Sequence, residues 1–130
     1  MILVDSSVWI DHLRFGVAAL KDLLQNEQVL SHPAVIGELT LGRPRQEENI
    51  LAEMAELFPA EVADHDEVLQ FIRRNGLGGS GIGYADAHLL ASASLTLDAA
   101  LWTRDRRLLA AARRLGLDAD IESYGGVQEN

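Results

Sequence analysis

The feature that most constrains this chain is an alternation. Short apolar, β-branched runs are separated by stretches whose apolar residues recur at helical spacing. Ile2-Leu3-Val4 opens the series and stops at Asp5. Helical patterns follow at about Val8–Phe15, with Ser6 or Ser7 as the expected cap, and at Ala18–Asn26. Gln28–Ser31 reads as a second strand, and Pro33 suits the first turn of a helix ending near Gly42. Further helices are expected over Gln46–Leu57, from Asp64 or Asp66 to Asn75, over Tyr84–Leu95 and over Arg106–Leu115. Brief strands are expected at Glu61–Ala63, Ala100–Thr103 and Ala119–Ile121. The glycine-rich run Gly76–Gly83 reads as a flexible loop, and Gly125–Asn130 as a frayed tail. Such a pattern predicts an α/β fold with a parallel sheet covered on both faces. Ligands of these sheets bind beyond the carboxyl ends of the strands, where strand order reverses.

The chain's 130 residues fit one domain, residues 1–130, with no internal repeat and no linker that divides it. It has no cysteine, which excludes disulfides, zinc–thiolate sites and a thiol nucleophile. No apolar run is long enough to span a membrane, and the N-terminus lacks the basic region of a signal peptide. A cytoplasmic location is therefore expected. The net charge of −9 counts against general nucleic-acid binding. It leaves room for an enzyme that needs cations only along its groove, and it predicts a basic partner.

Four acids draw attention by position. Asp5 lies directly after the first strand, and Asp105 directly after Trp102-Thr103. Asp86 shares a helix face with Leu89, Leu90 and Ala93, with His88 and Ser92 read as the opposite, polar stripe. Glu38 shares a face with Ala34, Val35 and Leu41. Acids on apolar faces are rarely buried unless paired or bound to a cation. Neither Asp86 nor Glu38 has a lysine or arginine three or four residues away. If the four converge, each pair about 4 Å apart repels by roughly 4 kcal/mol at an effective dielectric of 20. Raised pKa values or divalent cations must relieve that repulsion, and hard oxygen donors favour Mg²⁺ or Mn²⁺. Each acid also has a plainer reading, with Asp105 as a helix cap and Asp86 as a partner of the helix dipole.

The chain resembles the PIN-domain ribonucleases, specifically the VapC-type toxins of toxin–antitoxin pairs. The resemblance is carried by Val4-Asp5-Ser6-Ser7-Val8-Trp9-Ile10, then Gly37-Glu38-Leu39, then Gly81-Ile82-Gly83-Tyr84-Ala85-Asp86-Ala87-His88 and its continuation to Ala93, then Trp102-Thr103-Arg104-Asp105. It implies a three-layer α/β/α sandwich with a central parallel sheet and a Mg²⁺- or Mn²⁺-dependent endoribonuclease. It implies a metal site at Asp5, Glu38, Asp86 and Asp105, with Ser6 and Thr103 supporting it. It also implies an RNA substrate, commonly tRNA or rRNA, a homodimer, and a cognate antitoxin whose basic C-terminal segment plugs the site.

Other signals rank lower. Gly76-x-Gly78-x-x-Gly81 matches a dinucleotide-binding pattern but follows a helix rather than a strand. His12, His32, His65 and His88 lack metal-ligand spacing and are expected to be structural or exposed. Arg104, Arg106 and Arg107 flank Asp105 and are candidates for RNA phosphates, whereas Arg43, Arg45, Arg113 and Arg114 read as solvated surface. Val8, Trp9, Leu13, Leu20, Leu23 and Leu24 are expected in the core. A phosphate-accepting receiver-like switch is disfavoured because the only lysine, Lys21, lies early. The remaining alternative is a non-catalytic binding module whose acidic pocket docks a basic peptide.

Overall fold

The computed structural model describes residues 1–42 and 47–122, the side chains of 47 and 48 excepted. Arg43, Arg45 and the expected tail at 125–130 lie outside the described residues. The elements run β1 (Ile2–Val4), α1 (Ser6–Phe15), α2 (Ala18–Gln25), β2 (Val29–Ser31), α3 (Pro33–Gly42), α4 (Glu47–Ala55), β3 (Phe58–Pro59), α5 (His65–Arg74), α6 (Tyr84–Leu95), β4 (Ala100–Trp102) and α7 (Arg106–Arg114).

The strands form one sheet in the order β3-β2-β1-β4. All described pairings are parallel, with Ile2 opposite Val29 on one side and Ala100 on the other. Parallel neighbours need crossovers, and helices fill each one, so the sheet is flanked by helices. From β1 the chain steps outward to β2 and β3, then returns to place β4 on the other side of β1. Strand order therefore reverses between β1 and β4. Their carboxyl ends open a crevice there, and Asp5 and Asp105 stand at its rim.

The apolar runs form central strands because both of their faces are covered. Leu3, Val4 and Leu101 are fully buried, as are Leu89 and Leu90 of α6. Burying each such leucine contributes about 2–3 kcal/mol, so this layer anchors the fold. Val8, Trp9 and Leu20 join the core, with Leu13, Leu23 and Leu24 packed against it. α5 is fixed by a capping box, in which Glu67 N–H donates to Asp64 Oδ1 and Asp64 N–H to Glu67 Oε1.

The expected strand at Glu61–Ala63 instead lies at Phe58–Pro59. α4 stops at Ala55, so the chain is extended early enough for Phe58 to pair with Leu30. Both residues are exposed, and a proline suits such an edge. The expected last strand at Ala119–Ile121 reduces to a single bridge between Leu101 and Asp118. Leu101 N–H donates to Leu117 O and Leu101 O accepts from Ala119 N–H, after which the chain turns at 121–122. α1 begins at Ser6, so its cap position falls to Asp5 rather than to either serine.

Candidate active site

Asp5 is the most firmly placed of the four acids. It is 4% exposed and follows β1 with extended backbone. Although Asp5 holds the cap position of α1, its carboxylate makes no capping bond to that helix. Ser7 Oγ and Thr103 Oγ1 each donate to its Oδ2 at 2.7 Å. Ser6 Oγ lies 3.5 Å from Oδ1 and donates to Glu38 Oε1 at 3.1 Å. The two hydroxyls on Oδ2 are themselves located from β4. Arg104 N–H donates to Ser7 Oγ and Asp105 N–H to Thr103 Oγ1, both at 3.0 Å. The end of β4 thus sets the orientation of the carboxylate that ends β1. Ser7 was not among the sequence candidates. Its signal was present, since a residue two past a strand-end acid and inside a helix's first turn can reach back to that acid.

Asp105 fills its plainer role in part. Its Oδ1 accepts from Leu108 N–H at 2.9 Å and caps α7. Its Oδ2 has no hydrogen-bond partner among the described residues. Asp86 sits in the first turn of α6, where its Oδ2 accepts from Gly83 N–H at 3.2 Å.

Two sequence expectations about these helices are corrected. Glu38 does not face the core. It is exposed, as is Leu41 at 84%, while Val35 and Leu39 carry the buried face of α3. His88 and Ser92 are not a solvent stripe either. Ser92 is fully buried, and Ala87 and the run from Leu89 to Ala93 are buried with it. A helix enclosed almost all round shows no polar face to water. Ser92 meets a partner from the β2–α3 connection instead, while His88 Nδ1 is buried without a hydrogen-bond partner among the described residues. His32 Nδ1 accepts from Ala34 N–H at 2.9 Å, so its Nε2 carries the proton and donates to Ser92 Oγ at 2.9 Å. Burial, and then the charge of His88, hold His32 down at a pKa of about 4. It is a structural histidine, as expected.

The electrostatics tie the four acids together. Partial desolvation of its carboxyl, at the exposed surface of α3, raises Glu38 above its ordinary value; the Ser6 hydrogen bond opposes this, and the charges of Asp5 and Asp86 add to it. Burial likewise raises Asp86 against the Gly83 hydrogen bond, with Asp5 and Asp105 adding to the rise. Among the described residues none of the four forms an ion pair. The acids from β1, α3, α6 and β4–α7 therefore share one electrostatic neighbourhood with no cationic side chain bound to them.

Arg104 stands apart from this neighbourhood. Its guanidinium is taken by Asp11 at 2.9 Å and Glu122 at 2.7 Å, bonds that raise its pKa. The expectation that Arg104 offers charge to RNA phosphates is revised accordingly. Its main chain supports Ser7, and its side chain ties α1 to the turn after Asp118.

The donor set fits a divalent cation by chemistry rather than by a closed shell. All four groups are carboxylates, repelled by one another and without a basic partner. Among the described residues no three acid or histidine side chains are drawn tightly enough to enclose an ion. Mg²⁺ does not require such a cage, since it usually takes one or two carboxylates and keeps several waters.

Comparison with known proteins agrees with this architecture. The model of the PIN domain matches residues 2–114. Two sequences named Ribonuclease VapC32, from two strains of Mycobacterium tuberculosis, are each 48% identical over 117 residues, covering 90% of this chain and 94% of theirs. A chain in the crystal structure of FitAcB from Neisseria gonorrhoeae is similar with a TM-score of 0.60 and 25% identity, covering 87% of this chain and 94% of that one.

Proposed function

The chain belongs to the PIN-domain family, and from that premise we propose that it is a Mg²⁺- or Mn²⁺-dependent endoribonuclease, the toxin of a toxin–antitoxin pair. One observation carries the reading. Asp5, Glu38, Asp86 and Asp105 gather at the carboxyl ends of β1 and β4 with no basic side chain paired with them among the described residues, and partial burial together with the neighbouring acids raises the pKa of Glu38 and of Asp86. The 48% identity to proteins named as ribonucleases supports it.

Asp5 and Asp86 are the direct ligands in this proposal, with Glu38 and Asp105 completing the acidic wall. A divalent ion held by these carboxylates would supply Lewis acidity, acidifying water and offsetting negative charge on the phosphodiester. The protein's own share is positional. Ser7 and Thr103 saturate Asp5 Oδ2 and fix the plane of its carboxylate. Asp105 spends Oδ1 on α7 and keeps Oδ2 for the site. Ser6 holds Glu38 Oε1 near Asp5.

The acidic crevice also suits a basic antitoxin segment, drawn by complementary charge. Exposed Phe15 (79%) and Leu41 (84%), at the ends of α1 and α3, offer apolar surface for the antitoxin or for a homodimer. No helix among the described residues is long and apolar enough to cross a membrane. tRNA and rRNA, the substrates the family resemblance implies, are the RNAs proposed for this crevice.

The test is cleavage of tRNA and rRNA by the purified full chain with Mg²⁺, with Mn²⁺ and with EDTA. Activity is expected only with metal and is expected to vanish in Asp5→Ala and Asp86→Ala. Full activity in EDTA defeats the metal mechanism. Metal-dependent stabilisation without cleavage of any RNA favours the peptide-binding module instead.

A further inference from the structure

An open cleft of about 970 Å³ runs from the acids along α7, lined by Gly81, Asp86, Asp105, Arg106, Arg107 and Arg114 among others. Its lining carries both acids and arginines, and no ion pair joins them among the described residues. Arg106 and Arg107 are exposed and share the cleft with Asp86 and Asp105, yet neither arginine forms an ion pair or hydrogen bond among the described residues. The other arginines nearby are committed. Arg104 is held by Asp11 and Glu122, Arg113 by Asp118, and Arg114 donates to Asn75 O at 2.7 Å.

Arg107 has a seat. A Cβ on Gly81 would lie 2.9 Å from its Nη1 and 3.0 Å from its Cδ, so the bare Gly81 backbone receives the arginine side chain. Gly81 also has φ +87, which side-chain-bearing residues rarely adopt. Arg107 is thus laid across the glycine loop instead of swinging onto the acids. A polyanion approaching four carboxylates on a chain of net charge −9 needs cationic purchase beside them.

We propose that Arg106 and Arg107 hold the phosphates of the RNA strand flanking the scissile bond, with Gly81 as the seat that keeps Arg107 available. This rests on the ribonuclease reading and names its substrate track. Only Tyr84 is aromatic in the run from Gly76 to Tyr84, and no aromatic side chain among the described residues lines the cleft, so the grip is on backbone rather than on stacked bases.

The experiment is fluorescence anisotropy of a labelled single-stranded oligoribonucleotide with the full chain, in Ca²⁺ to slow cleavage, across a salt series. Wild type is compared with Arg106→Gln, Arg107→Gln, the double variant and Arg113→Gln, whose loss of charge is equal but lies outside the cleft. Each cleft variant is expected to weaken binding several-fold and to reduce the log K against log salt slope by about 0.7, the value for one phosphate contact on a single strand. The loss should be the same for two unrelated RNA sequences, and Arg113→Gln should match wild type. Equal slopes for the cleft variants and Arg113→Gln overturn the proposal; if wild type still cleaves RNA, the ribonuclease reading survives. Reduced slopes in a chain that cleaves no RNA uphold the track and remove the ribonuclease reading. No RNA bound by folded wild type overturns both.

Discussion

Replacing Thr103 with valine keeps the shape of a side chain that is 3% exposed and removes one hydroxyl. That hydroxyl donates to Asp5 Oδ2 at 2.7 Å and accepts from Asp105 N–H at 3.0 Å. A hydrogen bond to a charged group is worth about 1.5–3 kcal/mol, and an unmet buried donor costs about 1–3 kcal/mol. Two features reduce the loss. Ser7 still donates to the same Asp5 oxygen, and Asp105 is exposed enough for water to reach its amide. The low ends of both ranges therefore apply, giving about 2.5 kcal/mol. For a domain of this size 1 kcal/mol moves Tm by about 4 °C, so Thr103→Val is expected to melt about 10 °C lower. The assay is differential scanning calorimetry of the metal-free protein, with Thr103→Ser as the control that restores the hydroxyl. Cleavage in Mg²⁺ should fall about 10–100-fold in the valine variant, as for other partners that orient a ligand, and recover in the serine variant. A valine variant with wild-type Tm and wild-type cleavage would refute the claim that the end of β4 orients Asp5.

Asp86→Asn is expected to abolish cleavage while raising the Tm of the metal-free protein, because it removes one of several mutually repelling charges; a lower Tm in EDTA contradicts the crowding. The folded pKa values of Glu38 and Asp86 are raised, so their mutual penalty is full at neutral pH and is relieved as pH falls through those values. The Tm gain from Mg²⁺ should therefore shrink as pH is lowered from neutral, because protons take the place of the ion. Measuring that gain at each pH cancels His32, whose depressed pKa makes stability fall between about pH 6.5 and about 4 with or without metal. Gly81→Ala should lose about 1–2 kcal/mol of stability from its strained φ and, by displacing Arg107, raise KM for RNA more than it lowers kcat. Asp64→Ala should cost about 1 kcal/mol through the α5 capping box and leave cleavage per folded molecule unchanged.

Much of the candidate site's placement was legible because Asp5 and Asp105 follow the ends of strands. An apolar run broken by an acid, as at Asp5, marks where a buried strand meets a crevice, and the same logic located Asp105. The edges were less legible. Phe58–Pro59 is a strand only because Leu30 pairs with Phe58, and no local pattern announces that partner. The helices misled for a related reason. Periodicity assumes one wet face, but α6 is enclosed, so His88 and Ser92 looked like surface while Ser92 was waiting for His32 from β2–α3. Glu38 looked buried among apolar residues because Leu41, at 84% exposure, is one of the apolar side chains left at the surface. Ser7 and Arg104 show the remaining limit. Ser7 donates to Asp5 just two residues back but is itself held by the Arg104 amide 97 residues on, and the Arg104 side chain is consumed by Glu122, 18 residues on, and by Asp11, 93 residues back.

The central claim is that carboxylates from β1, α3, α6 and α7 serve a common divalent ion. Titration of Mn²⁺ into the RNA-free protein, followed by loss of the free-ion paramagnetic resonance signal, addresses it directly. Wild type should bind Mn²⁺ in competition with Mg²⁺, and Asp5→Asn and Asp86→Asn should each weaken binding on the order of tenfold or more. Undiminished affinity in both variants, or no binding by folded wild type, would contradict it.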